Sequence, residues 1–293
     1  MEMKLLEKQT LLIMLFFGMI GYAQESPFFE AGEDPKPQTS QWKLVKGMSD
    51  EFDGNKVDEE KWQISGQGWI GRAPGLFVSD NITVAAGNLQ ITTNKLQEPV
   101  ERHGKTFTHG GGYVGSYEGM TYGYYECRLK ANKTFMSSTF WLINDKKDSE
   151  GCEIRTTELD IQECVGQVTS DKEFAKKMVN HMNSNTHSRD IPEGCDVPSG
   201  TLGAKEPLNH MAFDEYHVYG VWWKNKDEVL FFLDGKLHAT VKPVANFDIP
   251  MHLRMVVETY NWNPVPLDGG MTGSKVDRTT FYDWVRTWEL IHE

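Results

Sequence analysis

The chain has 293 residues, 39% hydrophobic and 12% aromatic, with four cysteines and a formal net charge of −12. That is ample for one large core, and all-β domains of roughly 200–250 residues commonly fold as a single unit. The acidic balance, 42 Asp plus Glu against 30 Lys plus Arg with no long basic run, argues against nucleic acid as a partner.

Residues 1–23 read as a secretory signal peptide. Lys4 and Lys8 precede an apolar run from Leu11 to Ile20, which closes on the small-x-small site Gly21-Tyr22-Ala23. The run falls short of the ~20 apolar residues a membrane span needs, so the mature chain is expected outside the cell or in the periplasm, without a span. Export permits disulfides. Cys152 with Cys195 is the first pair to test, because both lie in loop-like sequence, whereas Cys127 alternates with Tyr125 and Leu129 and reads as buried and free.

Residues 24–41, with Pro27, Pro35 and Pro37 and no periodicity, read as a linker, and 42–293 as the folded domain. Within it, Leu76 to Val84, Leu89 to Thr93, Tyr122 to Lys130 and Thr139 to Ile143 are rich in β-branched and aromatic residues and read as strands. Ser170 to Met182 is the one helical pattern, with Phe174, Met178 and Met182 four apart. His217 to Lys224, Val229 to Leu233, Lys236 to Val241, Leu253 to Tyr260 and Thr280 to Leu290 return to strand character, and Asp234-Gly235 marks a two-residue hairpin. Many strands without alternating helices imply an all-β fold, a sandwich of two antiparallel sheets. No interface-like apolar stripe stands out, so a monomer is the default expectation.

The chemistry concentrates in T-E-L-D-I-Q-E-C, residues 157–164. On a strand, Glu158 and Asp160 share a face, while Glu163 falls out of phase. A β-bulge near Ile161-Gln162 would return Glu163 to the face of the other two acids and send Leu159 and Ile161 into a core. Two carboxyls about 5–5.5 Å apart suit retaining glycoside hydrolysis, and a third acid between them helps separate their pKa values. The plainer reading is a solvated acidic strand. Phe140-Trp141-Leu142 upstream and Trp262 downstream favour a sugar-binding groove, since aromatic faces stack on pyranose rings.

The run E-L-D-I-Q-E resembles the bulged E-x-D-x-x-E signature of glycoside hydrolase family 16. Ser49-Asp50-Glu51-Phe52, Tyr122 to Lys130, Ser138 to Leu142 and Asp283 to Trp288 are similar to further blocks of that family and occur in its order across the domain. The resemblance implies a β-jelly-roll with an open concave cleft that cuts β-linked polysaccharide internally with retention and needs no cofactor for catalysis. It would make Glu158 the nucleophile, Asp160 its supporting acid, Glu163 the general acid/base and Trp141 the floor of the subsite beside the scissile bond. Family members often carry a structural calcium, to which Asp50 and Asp283 would contribute; an ordinary surface role for both is the alternative.

Trp69 to Phe77, Glu258 to Asn263 and Asn183 to His187 look more like the agarase and porphyranase branch, the last as a substrate-lining loop. By that resemblance the substrate-binding set is Trp69, Arg72, Trp141, Arg155, His187, Glu258 and Trp262, with Arg72 similar to a sulfate-contacting arginine of porphyranases. A guanidinium fork suits a sulfate ester, which neutral agarose lacks. For Arg72 and Arg155 the competing reading is a surface salt bridge. The expected function is therefore cleavage of β-1,4-galactosidic bonds of sulfated porphyran, with neutral agarose as the alternative. A non-catalytic glycan-binding jelly roll is the rival from another class. His109-Gly110-Gly111-Gly112 resembles an esterase oxyanion loop, but no G-x-S-x-G accompanies it, so its glycines are expected to serve a tight turn.

Overall fold

The computed structural model describes residues 26–292 apart from residues 67 and 148; the leader segment 1–23 lies outside the described residues. Two sheets face each other. The first runs, edge to edge, through Gly200–Pro207, His181–Arg189, Thr156–Val165, Ser137–Asn144, Met251–Val257, Lys105–Met120 and Trp62–Gln63. The second runs through Lys236–Val241, Glu228–Leu233, His217–Asn225, Gly123–Lys130, Thr279–His292, Asn88–Thr92 and Ile82–Ala85, with Ser40–Leu44 added on Thr279–His292. The pairing is antiparallel except where Gly75–Phe77 joins Lys105–Met120 in parallel.

Alternation builds the core. Phe140, Leu142, Leu159 and Ile161 of the first sheet are fully buried against Tyr125, Cys127, Tyr219, Val221 and Phe231 of the second. Their sequence neighbours Trp141, Ile143 and Glu158, and Glu163 two residues past Ile161, stay partly exposed on the opposite face. One sheet thus presents an apolar face to the core and a face carrying aromatic and acidic side chains to solvent.

Several expectations are corrected. Ser170 to Met182 is not an α-helix: a 3-10 segment covers Glu173–Val179, and Met182 is buried in the strand His181–Arg189. Four-residue spacing fits both outcomes, because the strand that starts at His181 buries Met182 by alternation. Leu76 to Val84 splits into Gly75–Phe77 and Ile82–Ala85 around a 3-10 turn, Ser79–Asn81. His109 to Gly112 makes no turn but lies inside the 16-residue strand Lys105–Met120. A Cβ at Gly111 would sit 2.0 Å from the Val257 carbonyl, so close sheet packing requires the glycine there. Asn183 to His187 is likewise strand rather than loop.

The hairpin at Asp234-Gly235 forms as expected, with both residues at positive φ and Leu233 paired with Lys236. Cys152 and Cys195 form the disulfide, and Cys127 is buried and free, as is Cys164. The described part of the presumed linker packs against the second sheet. Phe28 N donates to Glu126, and the Phe29 ring contacts Tyr124 and Phe232 at 4.8 and 5.3 Å.

Candidate active site

Register places the three acids. Asp160 pairs with Trp141 and Gln162 with Phe140, so Ile161 is the extra residue of a bulge. Glu158, Asp160 and Glu163 consequently line one open cleft of about 240 Å³, together with Trp69, Arg72, Trp141, Glu258 and Tyr260. The out-of-phase acid is back in phase.

Each acid has its own company. Arg189 grips Glu158 with both amino groups, at 3.1 and 2.5 Å. Asp160 is buried, and its Oδ2 lies 2.8 Å from His187 Nε2, while His187 Nδ1 meets Thr201 Oγ1 at 2.7 Å. Glu163 accepts from Tyr260 Oη at 2.6 Å and from Asn185 Nδ2 at 3.3 Å. Burial, then the Glu158 charge, raises Asp160 well above the ordinary carboxylate range. Burial and the Asp160 charge push Glu163 up to about 8, and burial lowers His187. Burial thus favours the neutral forms of Asp160, Glu163 and the His187 imidazole.

The wall beside Glu163 carries a second guanidinium. Arg72 Nε donates to Glu258 at 3.0 Å and the guanidinium lies over the Tyr260 ring at 5.6 Å. Glu258 is buried and pushed up to about 7, by burial ahead of the opposing pull of Arg72. The Arg72 side chain remains 44% exposed, and among the described residues no hydrogen bond takes its two amino groups. Trp69 meets Trp141 edge-on at 6.1 Å, giving the cleft adjoining aromatic surfaces.

The expected binding residues therefore divide. Trp69, Arg72, Trp141 and Glu258 line the cleft. His187 reaches it by supporting Asp160. Trp262 stacks behind Tyr260 at 5.1 Å, backing the cleft wall rather than lining the cavity. Arg155 is out of place as a sugar ligand: it is buried, bonded to the Asn246 and Cys152 carbonyls and paired with Asp248 at 3.0 Å. Its three-residue offset from Glu158 puts it on the wrong face. Arg189 is a functional candidate that the sequence reading passed over, and Tyr260 and Asn185 lie within segments it singled out without naming a role for them.

Two groupings bear on metals. Glu158, Asp160 and His187 offer ligand atoms within 4.8 Å of one another, but hydrogen bonds engage those groups with each other and with Arg189, whose charge opposes a cation. Asp50 accepts from Trp62 Nε1 and Phe52 N and lies near Lys61, while Asp283 is paired with Arg128 at 2.5 Å. The two acids serve separate donors and do not fit together as a calcium cage.

A family model described as the GH16 domain of beta-porphyranases A-D matches residues 42–290. Beta-porphyranase B of Zobellia galactanivorans is 63% identical over 289 residues, 99% of each chain. The crystal structure of porphyranase B from the same organism superposes with a TM-score of 0.90 at 65% identity, covering 91% of this chain and 100% of that one. The beta-porphyranase BpGH16B of the gut bacterium Bacteroides plebeius gives a TM-score of 0.76 at 33% identity, over 88% and 94% of the two chains. With the bulged acid strand in the cleft of a two-sheet jelly roll, the chain belongs to the β-porphyranase A–D group of glycoside hydrolase family 16.

Proposed function

We propose that this chain is an endo-acting β-porphyranase that cuts β-1,4-galactosidic bonds of sulfated porphyran with retention, and that it works as a secreted monomer. The observation that carries the reading is the convergence of Glu158, Asp160 and Glu163 with the half-exposed Arg72 in one open cleft. Glu163, protonated at neutral pH, donates its proton to the departing glycosidic oxygen while a Glu158 oxygen attacks the anomeric carbon. The Arg189 fork keeps Glu158 oriented, and Asp160 with His187 forms a hydrogen-bonded pair beside it. In the second half, Glu163 as carboxylate takes a proton from water, which attacks the same carbon and frees Glu158. A binding module has no use for an acid kept protonated beside a second carboxylate, which disfavours the lectin reading.

Arg72 is the proposed sulfate reader. Its Nε is fixed on Glu258, leaving two amino groups to form a charge-assisted pair with a sulfate ester. Secretion fits the apolar leader and the Cys152–Cys195 disulfide, which suits an oxidising compartment. Reducing ends released from porphyran, agarose and laminarin test the reading. Porphyran should be cut fastest, and Arg72→Ala should lose roughly tenfold to a hundredfold on porphyran with a smaller loss on agarose. Agarose cut while porphyran stays intact would overturn the sulfate assignment.

A further inference from the structure

Away from the cleft, two histidines meet head to head. His217 opens the strand His217–Asn225 of the second sheet, and His210 lies on the connection that precedes it. Their Nε2 atoms are 3.2 Å apart, and the rings are stacked at 5.1 Å between centroids. Glu215 Oε2 is 3.6 Å from His210 Nε2, on a side chain 70% exposed, and must rotate toward His217 to meet both rings at one ion.

The proton bookkeeping of this pair is constrained. His217 Nδ1 lies 2.7 Å from Asp234 Oδ2, a carboxylate that only accepts, so Nδ1 carries the hydrogen. In neutral His217 the Nε2 lone pair is then directed at His210. Asp234 is itself fixed in the tight turn, with Oδ1 accepting from Val218 N at 2.8 Å and its own N donating to the Val218 carbonyl. A carboxylate behind the distal nitrogen of a histidine is the arrangement that orients imidazole metal ligands and raises their basicity. Two nitrogens bound to one tetrahedral zinc at 2.0–2.1 Å lie about 3.3 Å apart, close to the separation already present here.

We propose that His210 and His217 form a binding site for a divalent transition metal of the zinc type, with Glu215 as third ligand, water as fourth and Asp234 behind His217. The ion takes the place of the hydrogen between the two Nε2 atoms, and that hydrogen, the one N–H of neutral His210, moves to its Nδ1, so both rings bind as neutral imidazoles through Nε2. This site is structural. It joins the 208–216 connection to the strand and hairpin of the second sheet, and that connection also bonds to the segment flanking the cleft strand through Leu208 N to the Asn180 carbonyl and Ala212 N to the Val179 carbonyl. Imidazole ligation suits zinc, copper or nickel, whereas calcium and magnesium prefer oxygen cages.

The test is calorimetric titration of chelator-treated, tag-free mature chain with zinc chloride at pH 7.5, alongside a thermal melt and porphyran cleavage. One zinc should bind per chain, and at a hundredfold excess over Kd the melting midpoint should rise by about 5 °C. His210→Gln should abolish the binding and the rise. Asp234→Asn, which keeps an acceptor in the turn, should weaken binding by about tenfold to a hundredfold. Cleavage should be unaffected by one equivalent of zinc and by His210→Gln. Absence of binding, equal binding by His210→Gln, or binding that inhibits cleavage and disappears in Glu158→Gln would overturn the assignment; the last would place the ion in the cleft.

Discussion

The cleft and the outer face of the second sheet both bury carboxylates, but in different company. Glu126 is fully buried and pushed up to about 7 by desolvation, close to Glu258 at about 7 and Glu163 at about 8. Its two oxygens are capped by fixed donors, Phe28 N at 2.9 Å and Trp288 Nε1 at 3.0 Å, within an aromatic cluster. The cleft acids instead lean on Arg72, Arg189 and Tyr260, side chains that line an open cavity. A raised pKa alone therefore does not distinguish a structural acid from a chemical one. The difference is whether the partners can also meet a ligand.

The sharpest break of this comparison is to neutralise one acid of each kind. Glu163→Gln should lower kcat on porphyran by about 10²–10⁴-fold, because the departing oxygen loses its proton donor. In the unaltered enzyme kcat/KM should fall as pH rises through about 8, where Glu163 gives up its proton, and this limb should vanish in the variant. A variant that keeps both its rate and its alkaline limb would remove Glu163 from the acid role.

Glu126→Gln should leave cleavage at pH 6 unchanged and act only on stability. The folded-state value, about 7, lies above the ordinary 4.5, so the stabilising contribution of this group is full below pH 4.5 and is lost as pH rises through about 7. The variant has no proton to lose. The fall of its melting midpoint between pH 5 and pH 8 should be smaller than that of the parent chain by a few degrees. An unchanged fall, measured by calorimetry across that window, would show that Glu126 does not titrate there.

The acid strand was legible because parity is simple arithmetic. A five-residue gap between Asp160's partner acid Glu158 and Glu163 is inconsistent with one face unless a residue is inserted, and Ile161 is that residue. The same rule, applied one strand further, would have found Arg189: Asn185, His187 and Arg189 alternate on the strand paired with the acids. Reading Asn183 to His187 as a loop hid that period. Tyr260 sits between Glu258 and Trp262 at spacing two and was overlooked for its neighbours, although it donates to Glu163. Arg155 failed because its odd offset from Glu158 points it toward Asp248. Composition could not show that Phe28 and Phe29 dock on the second sheet, because that contact is with residues distant in sequence.

The most direct test of the central claim is proton NMR of the reducing ends as they first appear during porphyran cleavage. If Glu158 attacks the anomeric carbon and Glu163 then delivers water to the opposite face, the one the leaving oxygen vacated, the β-anomer accumulates first and the α-anomer follows by mutarotation. New ends that appear first as the α-anomer would mean that water attacks directly, and would contradict the roles assigned to the bulged strand.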